Sequence, residues 1–128
     1  MPVLKHKGLV VVTRKDSEAF NAWLEANHEQ EEAIWVRFAK KASKKKTPTY
    51  EEARERAIAW GWIDGLINRW DDDYYVIRFS RRRKKSNWSR INRGIAEQLI
   101  KDGRMEEPGM AEVKAAKKDG RWAKAYAD

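Results

Sequence analysis

The sequence predicts an α+β fold in which a small, mostly antiparallel sheet of about four strands packs with about four helices. Two patterns carry this prediction: short runs of β-branched and aromatic residues, and longer segments whose apolar residues recur at helical spacing. Seven tryptophans spread along the chain supply large apolar side chains for one core. No repeat or Gly/Ser-rich linker divides the 128 residues, so residues 1–128 are predicted to form a single domain.

The first elements are predicted from a β-branched run and a helix-capping residue. Residues 9–12 form a short apolar run typical of a strand. Asp16 or Ser17 is a suitable N-cap for the helix that follows. Residues 33–38 alternate in polarity as a half-buried strand does, and the Lys-rich run 40–46 after them is expected to be a loop.

A second helix and a β-hairpin are predicted in the middle of the chain. Thr49 and Glu52 have the spacing of a capping box, in which each side chain bonds the other residue's backbone amide. Residues 63–70 and 74–79 resemble two strands joined by three aspartates at 71–73. Asp is common in turns, so a hairpin turn is favoured over a calcium loop, which needs a Gly and a distant Glu at fixed offsets.

Two helices are predicted to complete the fold. Ser86 or Ser89 can cap the third helix, which Gly103 ends. Its apolar positions at helical spacing are Trp88, Ile91, Ile95 and Leu99. The last helix is predicted to start near Pro108 and to stop at Gly120.

Positive charge is concentrated in two short windows. The formal net charge is +8, from 28 Lys and Arg against 20 Asp and Glu, which favours acidic or polyanionic partners. Residues 37–46 hold six basic residues and no acid, and residues 78–93 hold eight basic residues and no acid. Half of all the cations therefore lie in these two windows.

Several classes of site have no support in the sequence. The chain has no cysteine, which excludes disulfides, thiolate metal sites and a Cys nucleophile. His6 and His28 lack partners at metal-ligand spacing and are predicted to be surface residues. Phosphate-binding Gly-rich loops and nucleophile elbows are missing, so neither a metal nor a cofactor is predicted. The apolar run 9–12 is too short for a signal peptide or membrane span, so a soluble, cytoplasmic protein is expected.

The candidate binding surface is the second basic window. Clustered cations can neutralise phosphates, and an adjacent indole can stack on a base. The candidate polyanion-binding residues are Arg81, Arg82, Arg83, Lys84, Lys85, Lys40, Lys41 and Trp88. The five consecutive cations 81–85 are predicted to be exposed in a loop, because burying them without matched acids is costly. A solvated loop is the alternative, and helical spacing favours Trp88 as a core residue over a stacking platform.

Asp64 is the candidate buried or functional acid. It lies between Trp62 and Gly65, where the second helix passes into a strand. A catalytic acid is one interpretation. A structural ion pair with Arg69 or Arg78 is the favoured one, because ion-pair networks perturb carboxylates as often as catalysis does.

Several motifs in a fixed order resemble the YdeI/OmpD-associated family, also called bacteriocin-protection proteins. They are Gly-Trp-Ile-Asp-Gly at 61–65, Arg-Phe at 78–79, Ser-Asn-Trp-Ser at 86–89 with Asn92, Gly-Arg-Met at 103–105, Pro-Gly at 108–109, Ala-Ala-Lys at 115–117, Gly-Arg-Trp at 120–122, Trp-Leu at 23–24 and Lys-Lys at 40–41. The resemblance covers nearly the whole chain. It departs from the family at Arg81 and Lys84, where members usually carry prolines, so this loop is expected to be more basic and more mobile.

The resemblance implies a non-enzymatic accessory in stress or bacteriocin and antimicrobial-peptide resistance, and no catalytic residues can be transferred from it. Such a protein acts by binding a protein partner or polyanion through its basic loops. Two alternatives come from the residues themselves: a nucleic-acid-binding module that uses 81–85 and 40–46, and an enzyme with an acid at Asp64.

Overall fold

The computed structural model describes residues 3–126, which fold as an α+β domain with four helices and a five-stranded sheet. The elements are β1 (Lys5–His6), β2 (Leu9–Val12), α1 (Ser17–Asn27), β3 (Ala33–Ala39), α2 (Tyr50–Ala59), β4 (Trp62–Arg69), β5 (Tyr74–Arg81), α3 (Arg90–Lys101) and α4 (Glu107–Lys118). The predicted order of elements is confirmed. The two-residue strand β1 is additional, and its length is too short to leave a pattern in the sequence.

The sheet has the strand order β1-β2-β3-β5-β4, in which β2 and β3 are parallel and the other pairs are antiparallel. Helix α1 connects the parallel pair, as a crossover connection must. β4 and β5 form the predicted hairpin, and the Asp71 carboxylate accepts hydrogen bonds from the Asp73 and Tyr74 amides in its turn.

β3 lies at the centre of the sheet, and Ala33, Ile34, Trp35 and Val36 are all buried. The predicted half-buried strand is therefore wrong, because layers cover both of its faces.

The main core lies between the sheet and the helices, and a smaller cluster covers the opposite face. On that second face, Trp35 is covered by His6, whose ring centroid lies 4.7 Å from the indole and whose Nε2 lies 3.1 Å from Asn68 Oδ1. His28 packs its ring 4.7 Å from that of Trp60. Both histidines are half-buried, so the prediction of surface histidines is wrong.

Local capping determines where three of the helices begin. Asp16 accepts from the Ala19 amide at 2.8 Å, and Thr49 and Glu52 form the predicted capping box. Ser89 caps α3 by accepting from the Asn92 amide at 3.0 Å. Since α3 begins only at Arg90, Trp88 does not share its periodicity. The inner face of α3 holds Asn92, Ala96 and Leu99, and the predicted core residue Ile91 is 47% exposed.

Helix α4 packs closely against the end of α2. Gly61 follows α2 with φ +81°, and a Cβ there would lie 3.0 Å from the carbonyl oxygen of Pro108. A Cβ on Gly109 would clash with the carbonyl oxygens of Ala59 and Ile58. Glycine at these positions therefore allows the two backbones to touch.

Trp62→Ala is expected to lower the free energy of unfolding by about 3–5 kcal/mol, because the Trp62 side chain is 1% exposed and its removal leaves a large cavity. Leu66, 68% exposed on the same strand, is the matched control, and Leu66→Ala should change stability little. Chemical denaturation measures both. Equal denaturation midpoints for the two variants would show that Trp62 does not stabilise the core.

Gly109→Ala is expected to destabilise the protein by about 1–3 kcal/mol, because the added methyl group must push α4 away from α2. Gly94, in the middle of α3, is the control, since a Cβ added there has no neighbouring atom within 4 Å. There the substitution should stabilise by about 0.5–1 kcal/mol through helix propensity. Thermal unfolding of the two variants compares them, and two shifts of the same sign would contradict this account of the α2–α4 contact.

Candidate anion-binding site

The two basic windows lie at opposite ends of the sheet. The antiparallel register pairs Ala39 with Tyr74 and Ala33 with Ser80. The 40–46 loop consequently lies beside the β4–β5 turn, where the Lys40 amide donates to the Asp73 carbonyl at 2.8 Å. The 81–85 run lies at the far end, about 20 Å away along the strand. Lys40 and Lys41, both exposed, therefore do not share one surface with the second basic run.

The run 81–85 divides into exposed and buried cations. Arg83, Lys84 and Lys85 are exposed. Arg81 ends β5, is half-buried, and donates from its guanidinium to the carbonyl oxygens of Glu29 and Glu31. Arg82 is only 7% exposed. The prediction of five exposed loop cations is thus wrong for Arg81 and Arg82, because the strand extends further and the chain then turns Arg82 inward.

Arg82 stacks on Trp88, and this contact accounts for its burial. The guanidinium carbon lies 3.5 Å from the Trp88 ring centroid, an arrangement that stabilises a cation against an aromatic face. Its Nη1 donates to the Asn87 carbonyl at 3.2 Å, while Nε and Nη2 have no hydrogen-bond partner. Burial lowers the pKa of Arg82 to about 10, so the side chain is still charged at neutral pH. Trp88 itself is 1% exposed, which confirms the core alternative over a stacking platform for bases.

The chain after α4 brings a further arginine to this end of the molecule. Arg121 donates to the Ser86 carbonyl at 2.6 Å, and its Nε bonds Asp119. The hydrogen bond from Arg121 lowers the pKa of Asp119. Arg121 Nη2 is buried without a partner, as are the two Arg82 nitrogens. Sequence reasoning did not assign Arg121 to a site, since its nearness to Ser86 depends on how the tail folds back.

Two clefts meet at Arg82. The larger, about 650 Å³, is lined by the arginines Arg78, Arg81, Arg82 and Arg83 and also by Glu31 and Glu32. The smaller, about 180 Å³, lies on the helix side and includes Trp60, Trp62, Arg82 and Glu112 in its wall. Burial raises the pKa of Glu112, while the charges of Arg82 and Arg121 oppose that rise. Glu112 was not among the predicted site residues, because its position on α4 gives no local sign of a partner.

Asp64 bonds a tyrosine rather than an arginine. It accepts a hydrogen bond from the Tyr50 hydroxyl, and Arg54 lies 4.9 Å from the centroid of the Tyr50 ring. The favoured ion pair is wrong, since neither Arg69 nor Arg78 forms one with Asp64 in the described part of the chain. In the register of β4 and β5, Asp64 lies opposite Phe79, and both side chains are on the helix-covered face of the sheet. Arg78, one residue before Phe79, is on the other face.

Two further features of residues 3–126 bear on function. Within this range no three His, Asp or Glu side chains come together in a way that could hold a metal ion. The helices in it are also too short or too polar to cross a bilayer.

The fold and these clefts define a small α+β protein with an arginine-rich end. The chain belongs to a family described as a domain of unknown function (DUF8412), whose model matches residues 12–112. The matched range contains Arg82, ends at Glu112 and stops before Arg121. Neither a curated protein nor a solved structure matches the chain.

The hydrogen bond between Tyr50 and Asp64 should make the stability of the protein depend on pH in the alkaline range. Burial, with the hydrogen bond to Asp64, raises the pKa of Tyr50 from 10.0 to about 12. As the pH rises, the Tyr50 hydroxyl loses its proton in the unfolded chain before it does so in the folded protein. The free energy of unfolding that this group contributes is therefore fully present below pH 10 and should fall as the pH rises from 10 to 12. Tyr50→Phe removes this contribution and should show a shallower fall than the wild type. Denaturation at several alkaline pH values measures it, and parallel curves for the two proteins would show that Tyr50 does not titrate abnormally.

Proposed function

We propose that this protein is a non-enzymatic binding protein whose contact surface is the 81–85 end of the sheet. The observation that carries this proposal is the larger cleft, whose lining contains four arginines and two glutamates. Arg83 is exposed at its rim, next to Lys84 and Lys85. Arginine presents a fork of N–H donors that matches carboxylate and phosphate groups. The expected partner is therefore an acidic protein surface or another polyanion.

The opposite basic loop is not part of this contact surface. Lys40 and Ser43 bond Asp73 there, and the three turn aspartates place negative charge beside the loop lysines. The 81–85 end also has acids nearby: Asp119 is paired with Arg121, and Glu31 and Glu32 line the larger cleft beside its four arginines. The lining of the larger cleft therefore holds more positive than negative side chains, and the exposed cations Lys84 and Lys85 lie next to it in the chain.

The resemblance to YdeI/OmpD-associated proteins supports a biological role for such binding. On this basis the protein acts in the cytoplasm as an accessory in stress or bacteriocin resistance. A binding role agrees with the site, whose arginines are arranged to hold an anion and not to transfer a proton. The enzyme alternative gains no support from the geometry, because the Asp64 carboxylate is engaged by Tyr50 and lines neither cleft at Arg82.

Nucleic-acid binding is the second candidate, favoured by one observation: three consecutive exposed cations, Arg83, Lys84 and Lys85, flank an arginine-lined groove. These cations can contact successive phosphates. Base stacking on Trp88 is not part of this candidate, because the indole is buried beneath Arg82. Binding would therefore be insensitive to base sequence.

Replacing Arg83, Lys84 and Lys85 by Ala is expected to abolish most binding to polyanions, because these are the exposed cations of the run. For a labelled oligonucleotide, the logarithmic salt dependence of the affinity should flatten by about two to three units. Replacing Lys44, Lys45 and Lys46 by Ala is the matched control. It removes the same charge at the opposite end and should leave the slope nearly unchanged.

The same titrations with heparin and with poly-glutamate separate the two candidates. A preference for the oligonucleotide over both competitors would favour the nucleic-acid module, and comparable binding to all three supports a general contact surface for anions. If both triple variants weaken binding equally, the 81–85 end is not a specific surface. If no polyanion binds at low salt, the run is a solvated loop.

A further inference from the structure

The smaller cleft contains a buried cation without a carboxylate partner. Arg82 forms no ion pair within the described residues, although nine-tenths of it is removed from solvent. A buried charge is normally paired, because desolvation is otherwise uncompensated. The stacking on Trp88 offsets part of this cost, but it satisfies none of the in-plane N–H groups.

The unused donors of Arg82 lie on one edge of its guanidinium. Nη1 already donates to the Asn87 carbonyl, whereas Nε and Nη2 have no partner. Nε–H and one Nη2–H point in the same direction, and this edge is the one that binds a carboxylate through two parallel hydrogen bonds. Both atoms are shielded from solvent, so a ligand in the cleft that Arg82 borders can reach them only when the Arg82 side chain rotates.

The same cleft presents an acid that feels the charges of Arg82 and Arg121 without a close ion pair. Glu112 lines it from α4 and forms no ion pair among the described residues. The rest of the wall consists of Trp60, Gly61, Trp62 and Pro108, together with the polar residues His28, Glu29 and Arg81. A ligand there meets the charge of Arg82, the acid of Glu112 and the aromatic surface of Trp60 and Trp62, with Arg81 and Glu29 also on the wall.

We propose that this cleft binds a small zwitterion of the amino-acid type, with its carboxylate on Arg82 and its ammonium on Glu112. A phosphate dianion fits less well, because Glu112 would repel its second charge. The volume of about 180 Å³ suits a small molecule and not a polymer. This site does not rest on the proposed contact surface, since it uses the buried face of Arg82 and none of the exposed cations.

A matched series of probes tests the two charge requirements separately. L-Phenylalanine carries both groups, 3-phenylpropionate lacks the ammonium, and phenethylamine lacks the carboxylate. The Arg82 Nε–H resonance in ¹H–¹⁵N NMR spectra reports the proposed contact directly. L-Phenylalanine should shift it saturably, 3-phenylpropionate should bind about tenfold more weakly, and phenethylamine should leave it unmoved.

Three variants assign the contacts. Arg82→Lys keeps the charge but loses the fork, so it should weaken L-phenylalanine binding about tenfold or more, measured by indole fluorescence. Glu112→Gln should remove the preference for L-phenylalanine over 3-phenylpropionate. Ala at Arg83, Lys84 and Lys85 together should leave L-phenylalanine binding intact, which separates this site from the polyanion surface.

Defined results would overturn the proposal. An Arg82 Nε–H resonance that stays unmoved at L-phenylalanine concentrations of about 10 mM excludes the site. Equal affinity of the wild type for 3-phenylpropionate excludes the ammonium contact. If Glu112→Gln instead strengthens L-phenylalanine binding, Glu112 is the internal counter-ion of Arg82 and not a ligand contact. Since Glu112 is only half-buried, this variant should stay folded even where Arg82→Lys does not.

Discussion

The contact between the end of α2 and the start of α4 holds the site together. Gly61 turns the chain out of α2 in the left-handed region, and its carbonyl accepts the Arg82 amide at 3.0 Å. Trp62 then enters the core, while α4 approaches Gly61 through Pro108 and the end of α2 through Gly109. This contact brings the first residue after β5 beside Glu112 of α4. A side chain at either glycine would separate the elements that form the smaller cleft.

The electrostatic arrangement at Arg82 depends on arginine chemistry. A planar guanidinium can stack on Trp88 and still offer an edge of parallel N–H donors, whereas a lysine ammonium is more strongly hydrated and has neither a planar face nor such an edge. Burial leaves the pKa of Arg82 near 10, well above neutrality. The protein therefore keeps a fixed positive charge inside the fold, and that charge favours an anion at this end.

Topology decides how the positive charge of this protein can act. Two basic windows of similar composition lie at opposite ends of β3 and β5, because the strands run antiparallel. One is beside the turn aspartates, and the other continues into the arginine-lined clefts. The first is a solvated loop next to an acidic turn. The second has both exposed and buried cations and borders two clefts.

Local chemistry in the sequence determined the α+β class, the hairpin and the helix starts at Asp16, Thr49 and Ser89, because caps and turns depend on residues a few positions apart. The core position of Trp62 followed from its apolar surface. The tertiary structure alone decided that Arg82 is buried on Trp88, that Asp64 bonds Tyr50, and that Arg121 and Glu112 join the site. These contacts join residues far apart in the chain, and burial of a charge depends on what packs around it, which no local pattern records.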